Sequence, residues 1–331
     1  MAIDVLSDVL GTVRLKGAVF FDVTCHEPWV EETPAGSEIV DNVLPGAEHL
    51  VPYHVVSEGG CWAGIVGTQP VWLEAGSVIV FPQGDAHVMS SAPGMRRPAD
   101  PAKYAPPRDG QLPIAVTSGE SGPRPTRLVC GYLGYDARPF NPLIAALPRV
   151  LVIRDRDGAS PGWLTRFVDL ALTESRNKRA GGQSILGRLS ELMFVEALRR
   201  HLEGAGGEQT GWVAGLRDAN VGRALSLLHE KPKHAWTLED LAHEVGLSRS
   251  ALAERFTQLV GQPPMQYLAQ WRMQIAAGML AGGAKVLEAA FGVGYDSEAA
   301  FSRAFKRMVG VSPAAWRDRN GPSPVPAAPQ F

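Results

Sequence analysis

Over the first 150 residues the apolar positions come in short runs divided by Gly, Pro, Asp and Ser: Val13–Leu15, Val19–Phe21, Tyr53–Val56, Val71–Leu73, Val78–Phe81 and Leu128–Tyr132. Short apolar runs between turn residues are the signature of β-strands. Asp4–Leu10, ahead of them, reads as one or two amphipathic helical turns. From Pro93 to Pro125 the pattern gives way to Pro- and Arg-rich segments, predicting a long loop near 93–125, partly disordered, between two strands. After Gly162 the period becomes helical. Trp163, Phe167, Leu170 and Ala171 share one face; past Gly181 and Gly182, so do Ile185, Leu189, Leu192, Met193, Glu196, Ala197 and Arg200. Glu203–Thr210 is a flexible linker by composition. Helical spacing returns from about 211 to 319, and residues 320–331 form a Pro/Ala tail expected to be disordered.

Within the last third the chain repeats itself. Val245 to Pro264 lies over Val293 to Pro313, with an offset of 48 residues at Gly246/Gly294 and 49 at Phe256/Phe305 and Gly261/Gly310. Two copies of one supersecondary unit at such a distance mark duplication. In the first, Leu238, Leu241, Ala242 and Val245 make the buried stripe of a short helix. Gly246 supplies a left-handed turn, Ser248 caps the next helix, and Leu252, Phe256 and Leu259 face inward. In the second, Ala289, Ala290 and Val293 precede Gly294, a cap is expected at Asp296, and Phe301, Phe305 and Val309 face inward. Between them Met265–Leu280, with Trp271 and Ile275, predicts a long helix. It would hold the two second helices so that each enters one of two successive major grooves about 34 Å apart.

Composition sharpens this picture only in places. The 331 residues, 45% hydrophobic and 20% charged, suit two globular domains. The net charge of −2 gives no hint of nucleic acid, but Val213–Arg319 holds 13 Lys/Arg against 10 Asp/Glu. From Arg303 to Arg319, Arg303, Lys306, Arg307, Arg317 and Arg319 stand against one acid, Asp318. No apolar stretch approaches the ~18 residues of a membrane span, and Met1–Val5 carries an early acid rather than a basic-then-apolar leader. Three widely spaced cysteines (Cys25, Cys61, Cys130) argue against a disulfide framework and for a reducing cytoplasm.

Gly294-Tyr295-Asp296-Ser297, Phe301-Ser302-Arg303-Ala304-Phe305-Lys306-Arg307, Gly310-Val311-Ser312-Pro313 and Arg317 together resemble the signature of the AraC-type transcription regulators over about 100 residues. By that resemblance the function is sequence-specific binding of double-stranded DNA, and the protein is no enzyme. The base-reading residues would be Ser250, Ala253 and Glu254 in the first unit, with Arg249 near phosphate. In the second they would be Ser297, Glu298, Ala299, Ser302 and Arg303; Lys306 and Arg307 could neutralise phosphates. Arg303 can donate bidentately to guanine, and Glu254 could accept from a cytosine amine or be a solvated acid.

The N-terminal region resembles the cupin-like sensor half of such regulators. Gly76, Pro82, Gly84 and His87 follow the G-x5-P-x-G-x2-H spacing of a second cupin motif; His54 and Glu58 keep part of a first, whose partner position is Pro52. Leu50–Gly67 and Val71–His87 would be successive hairpin segments of a small barrel. The expected fold class is therefore α+β in two domains: a cupin-like β-barrel at 1–150 and an all-α double helix-turn-helix at 211–319, with 151–208 a helical linker or dimerisation segment. His54, Glu58 and His87 could make a three-ligand divalent metal site, or the two imidazoles could simply line the barrel. The alternative function, a cupin metalloenzyme with an accessory helical domain, would need that metal; no other cofactor is implied. Cys25 beside His26, and Cys130, are candidates for oxidant sensing; the alternative is that Cys61 and Cys130 are buried small hydrophobes. The default signal is a small-molecule effector in the barrel. The expected partners are DNA, the effector or oxidant, a second copy of the chain through the 185–202 helix, and RNA polymerase if the protein is an activator.

Overall fold

The computed structural model describes residues 4–12, 15–104, 114–120, 122, 125–135, 139–154, 162–177, 180–204 and 211–321. In chain order its elements are α1 (Val5–Thr12), β1 (Lys16–Cys25), β2 (Val30–Thr33), α2 (Gly36–Val43), β3 (His49–Glu58), β4 (Gly60–Ile65), β5 (Val71–Glu74), β6 (Ser77–Val80) and β7 (His87–Ser90). A 3-10 turn (Pro101–Tyr104) leads to β8 (Ile114–Ser118), β9 (Thr126–Tyr135), α3 (Pro142–Ala146), β10 (Leu151–Arg154), α4 (Trp163–Asn177) and α5 (Gly182–Gly204). Then come α6 (Trp212–Arg217), α7 (Ala219–Glu230), α8 (Leu238–Glu244), α9 (Arg249–Val260), α10 (Pro264–Ala281), α11 (Val286–Gly292), α12 (Glu298–Val309) and α13 (Pro313–Asn320). The chain divides into two compact units. One comprises Arg14–Asp136 and Leu147–Gly207; the other comprises Met1–Val13, Ala137–Ala146 and Glu208–Phe331.

The first unit is built on two sheets, in the orders β10-β6-β3-β9-β1-β8 and β2-β7-β4-β5. They are cupin-like but not closed on each other, so the expected barrel is corrected to an open pair of sheets. The expected hairpins are corrected as well. The chain crosses between sheets from β3 to β4, from β5 to β6 and from β6 to β7, and only β4–β5 folds back as a neighbouring pair. Phe21, Ile39, Cys61, Phe81, Leu128 and Tyr132 fill the space between the sheets. Of these, the aliphatic and phenylalanine side chains contribute about 1.5–3 kcal/mol each when fully buried. The outer face of β3 is buried too: the Tyr53 hydroxyl lies 2.7 Å from Ser190 Oγ of α5, which explains a strand without polar alternation.

The loop expected near 93–125 is corrected within the described residues. Pro101–Tyr104 makes its 3-10 turn, and β8 pairs in parallel with β1 from Phe21↔Ile114 to Cys25↔Ser118. Residues 105–113, most of the linker Glu203–Thr210 and the tail beyond Gly321 lie outside the described residues.

The second unit is all helix. Its hub is Tyr267 of α10, fully buried. Trp212 Nε1–H donates to its hydroxyl (2.9 Å), the hydroxyl meets His229 Nε2 (2.8 Å), and His229 Nδ1–H donates to Asp8 of α1 (2.6 Å). Phe140, just ahead of α3, packs edge-on to the same ring, and its N–H donates to Gln274 (2.9 Å). Two segments from early in the sequence are thus pinned to helices near its end, a pairing that no local pattern encodes.

Candidate nucleic-acid interface

Each copy of the repeat is a helix-turn-helix. In the first, Leu241, Ala242, Val245, Leu252 and Phe256 are buried, Gly246 turns at φ +71°, and Ser248 Oγ accepts from Ala251 N (3.2 Å) to start α9. In the second, Ala289, Ala290, Val293, Phe301, Phe305 and Val309 are buried and Gly294 turns at φ +84°. The cap of α12 is corrected from Asp296 to Ser297, whose Oγ accepts from Ala300 N (3.2 Å). Asp296 is the one residue by which the second copy is longer. α10, 18 residues and thus about 27 Å of helix, joins the two. Its buried Trp271 and Met273 fix it in the core.

The polar faces are left outside. Arg249, Ser250 and Glu254 are exposed and Ala253 is half-buried. Ser297, Glu298, Ala299, Arg303, Lys306 and Arg307 are exposed, with Ser302 half-buried. The cations are held differently. Arg249 lies 3.6 Å from Glu239. Arg255, which the sequence reading passed over, donates through Nε (2.9 Å) and Nη2 (2.6 Å) to Asp218. Asp218 also caps α7 by accepting from Asn220 N and Val221 N. Burial opposes its ionisation, but Arg255 and those two N–H groups outweigh it and hold the carboxyl below its ordinary value. Among the described residues Arg303 and Lys306 have no ion pair. They face solvent on a helix whose other side is Phe301 and Phe305.

In the sheet unit, β3 and β7 bring His54 and His87 together, buried, with their Nε2 atoms 2.7 Å apart. His87 Nδ1 lies 2.8 Å from the Asp85 carbonyl, which can only accept. The proton of His87 is therefore on Nδ1, its Nε2 accepts, and His54 must donate from Nε2. His54 Nδ1 is left buried without a partner. Burial first, and then the neighbouring imidazole, hold His54 well below its ordinary value; burial lowers His87 to about 4. Glu58 is not with them. It stands at the exposed end of β3, 3.4 Å from Arg127. The three residues are therefore not gathered into one set: Glu58 lies apart from the two imidazoles, which are hydrogen-bonded to each other. Among the described residues no group of three or more His, Cys, Asp and Glu is gathered for one.

Activation of Cys25 by His26 is corrected too. Cys25, Cys61 and Cys130 are all buried. Burial and then Glu31 push Cys25 up to about 12, and burial raises Cys130 well above the ordinary thiol value. His26 Nδ1 is instead occupied as an acceptor from Gly122 N (3.1 Å).

Residues 4–203 match a family described as "Cupin", and residues 241–319 match one described as "Helix-turn-helix domain". A putative AraC-like transcription regulator of Streptomyces lividans is 33% identical over 318 residues, which is 95% of this chain and 98% of that protein. A second, of Streptomyces antibioticus, is 41% identical over 156 residues, 47% of this chain and 50% of that protein. Among solved structures, the C-terminal domain of AraT, a response regulator from Geobacillus stearothermophilus, is 31% identical over 32% of this chain and 89% of its own, with a TM-score of 0.31. No helix among the described residues is long and apolar enough to cross a membrane. With its two helix-turn-helix units in place and kinship along almost its whole length, the chain belongs to the AraC-type family of DNA-binding transcription regulators and carries a cupin-type domain at its N-terminal end.

Proposed function

We propose that α9 and α12 enter two successive major grooves of one duplex. Ser250, Ala253 and Glu254 face bases in one groove, and Glu298, Ala299, Ser302 and Arg303 face them in the other. Arg249, Lys306 and Arg307 lie along phosphate. The hydroxyl of Ser297, occupied by the cap, places the helix rather than reading a base. The observation that carries this reading is the repeat itself: two turns of the same build, each burying one stripe of its second helix and leaving the polar stripe to solvent. Footprinting the full-length protein on genomic DNA tests it. The expected result is paired protected patches about one helical turn apart, lost with rising salt; a single patch would leave only one unit as a reader.

The sheet unit is the sensor in this proposal, and its signal is a small molecule. The buried, protonated thiols of Cys25 and Cys130 speak against the alternative signal, direct oxidation. The protein acts in the cytoplasm as a regulator and not as an enzyme, which is supported by its kinship with transcription regulators along almost its whole length. A second copy docks through α5, where Ile185 and Leu192, seven residues apart on one face, are 41% and 61% exposed. If it activates, RNA polymerase is a further partner.

A further inference from the structure

The loop from Lys231 to Trp236 joins α7 to α8, and none of the base- or phosphate-facing residues named above lies in it. It is held unusually firmly. Arg272, reaching from α10, donates through Nε to the Pro232 carbonyl (2.7 Å) and through Nη2 to the His234 carbonyl (2.8 Å). The loop also closes on itself: His234 N donates to Lys231 O (3.1 Å), Trp236 N to His234 O (2.8 Å), and Trp236 Nε1 to Lys231 O (3.2 Å). The rings of His234 and Trp236 meet edge to face at 4.5 Å. The backbone that carries Lys231 and Lys233 is thereby fixed in place, while their side chains reach into solvent.

Its position is the second observation. At one end it runs into Thr237, the cap of α8 in the first helix-turn-helix. In its middle it lies against the turn of the second: a Cβ on Gly294 would come within 2.6 Å of the Lys233 carbonyl oxygen. Gly294 is three residues ahead of the cap of α12. The loop therefore sits on the seam between the two units, beside the end of α12 that leads into a groove. Lys231, Lys233 and His234 are exposed there, and neither lysine has an ion pair among the described residues.

The geometry points to this loop as a third DNA contact, with Lys231 and Lys233 neutralising backbone phosphates of the stretch between the two half-sites. It rests on the reading of α9 and α12 as the two probes. A duplex engaged by both must pass the seam, and two exposed ammonium groups without an ion pair among the described residues, carried there on a pinned backbone, are within reach of its phosphates. Such contacts fix register and carry no base preference.

Fluorescence anisotropy with the full-length protein tests this on a duplex selected from random sequence and on a scrambled one. Lys231→Gln with Lys233→Gln is expected to weaken binding about tenfold on both duplexes alike. It should also flatten the dependence of log affinity on log salt by roughly 0.9 per lysine. Both side chains are exposed, so the melting temperature should stay put. Neutral methylphosphonate linkages placed between the half-sites should weaken the parent protein and leave the double variant unaffected. An unchanged salt slope, a loss confined to the selected duplex, or equal methylphosphonate losses in both proteins would each overturn the loop contact. Arg303→Ala run alongside reports on the probe helices: if it keeps its sequence preference, that reading fails, whatever the lysines do.

Discussion

Set α9 over α12 at their common offset of 49 residues, and Leu252 and Phe256 fall on Phe301 and Phe305, all four buried. Outside, the same overlay puts Glu254 on Arg303, Arg255 on Ala304, and Thr257 and Gln258 on Lys306 and Arg307. In the preceding helices, Glu239 and His243 of α8 fall on Leu287 and Phe291 of α11, two apolar side chains that are 44% and 52% exposed. The interior was kept because a helix-turn-helix packs only one way around its turn. The exposed surface is not held by that packing, and in the proposed reading each polar face meets its own groove. The first unit is acidic, with its cations Arg249 and Arg255 engaged by Glu239 and Asp218; the second keeps Arg303 and Lys306 unpaired. In the proposed reading, attraction to a polyanion is therefore stronger at the second unit.

The comparison can be pressed hardest where the two units should agree. Phe256→Ala and Phe305→Ala each remove a fully buried ring, and each should cost about 3–5 kcal/mol in chemical denaturation. A large inequality would mean that one interior is much looser than the other. Next come the positions where the units should differ in sign. Arg303→Ala should lose about 1–3 kcal/mol of specific binding and relax preference at one base pair. Glu254→Gln should instead raise affinity for scrambled DNA about tenfold or less while eroding discrimination, because it removes a negative charge beside phosphates. Titrations with selected and scrambled duplexes separate these outcomes; the same sign for both variants would defeat the contrast.

Smaller effects sharpen it further. Ser248→Ala and Ser297→Ala should each cost about 1 kcal/mol in thermal unfolding, while Asp296→Ala should change little. A cost at Asp296 instead would return the cap to it. The smallest effect concerns acid. The Asp218 carboxyl is held below its ordinary value in the folded chain, so its contribution is present above that value and lost as pH falls through the lowered one. Melting curves between pH 6 and 3 should show this extra acid sensitivity, and Arg255→Gln should reduce it. α12, with Ala304 in the equivalent place, has no such pair to lose.

How much was legible in advance differs between the two ends of the chain. Most of the C-terminal repeat was readable from its local pattern of buried stripe, turn glycine and cap, although Leu238 and Leu259, expected inward, are only half-buried. The cap, Asp296 for Ser297, was missed because of the inserted residue, since two adjacent capping side chains cannot be ranked without the backbone that follows. In the N-terminal half, the strand runs from Val19 onward and the Gly76–His87 motif were legible; of the run Val13–Leu15, residues 13 and 14 lie outside the described residues and Leu15 precedes β1. β8 was not: its partner β1 is about 90 residues away, and Ile114–Ser118 has no apolar alternation strong enough to stand alone. His54 and Glu58 looked like one site because four residues separate them. A strand carries such a pair about 13 Å apart, leaving His54 inside and Glu58 in solvent.

By itself, then, the sequence determined everything set by short-range periodicity and turn chemistry: two helix-turn-helix units with inward phenylalanines, a strand-rich first half, and which helix faces stay polar. Tertiary structure alone decided what depends on burial and long-range pairing. It buried Cys25 along with the other two thiols, set one histidine against another, and pinned α1 and Phe140 to a tyrosine far down the chain. It also placed Lys233 against Gly294. The physical reason is that a side chain's pKa, partner and exposure follow from the dielectric and the neighbours around it, and these neighbours come from parts of the chain that no local window contains.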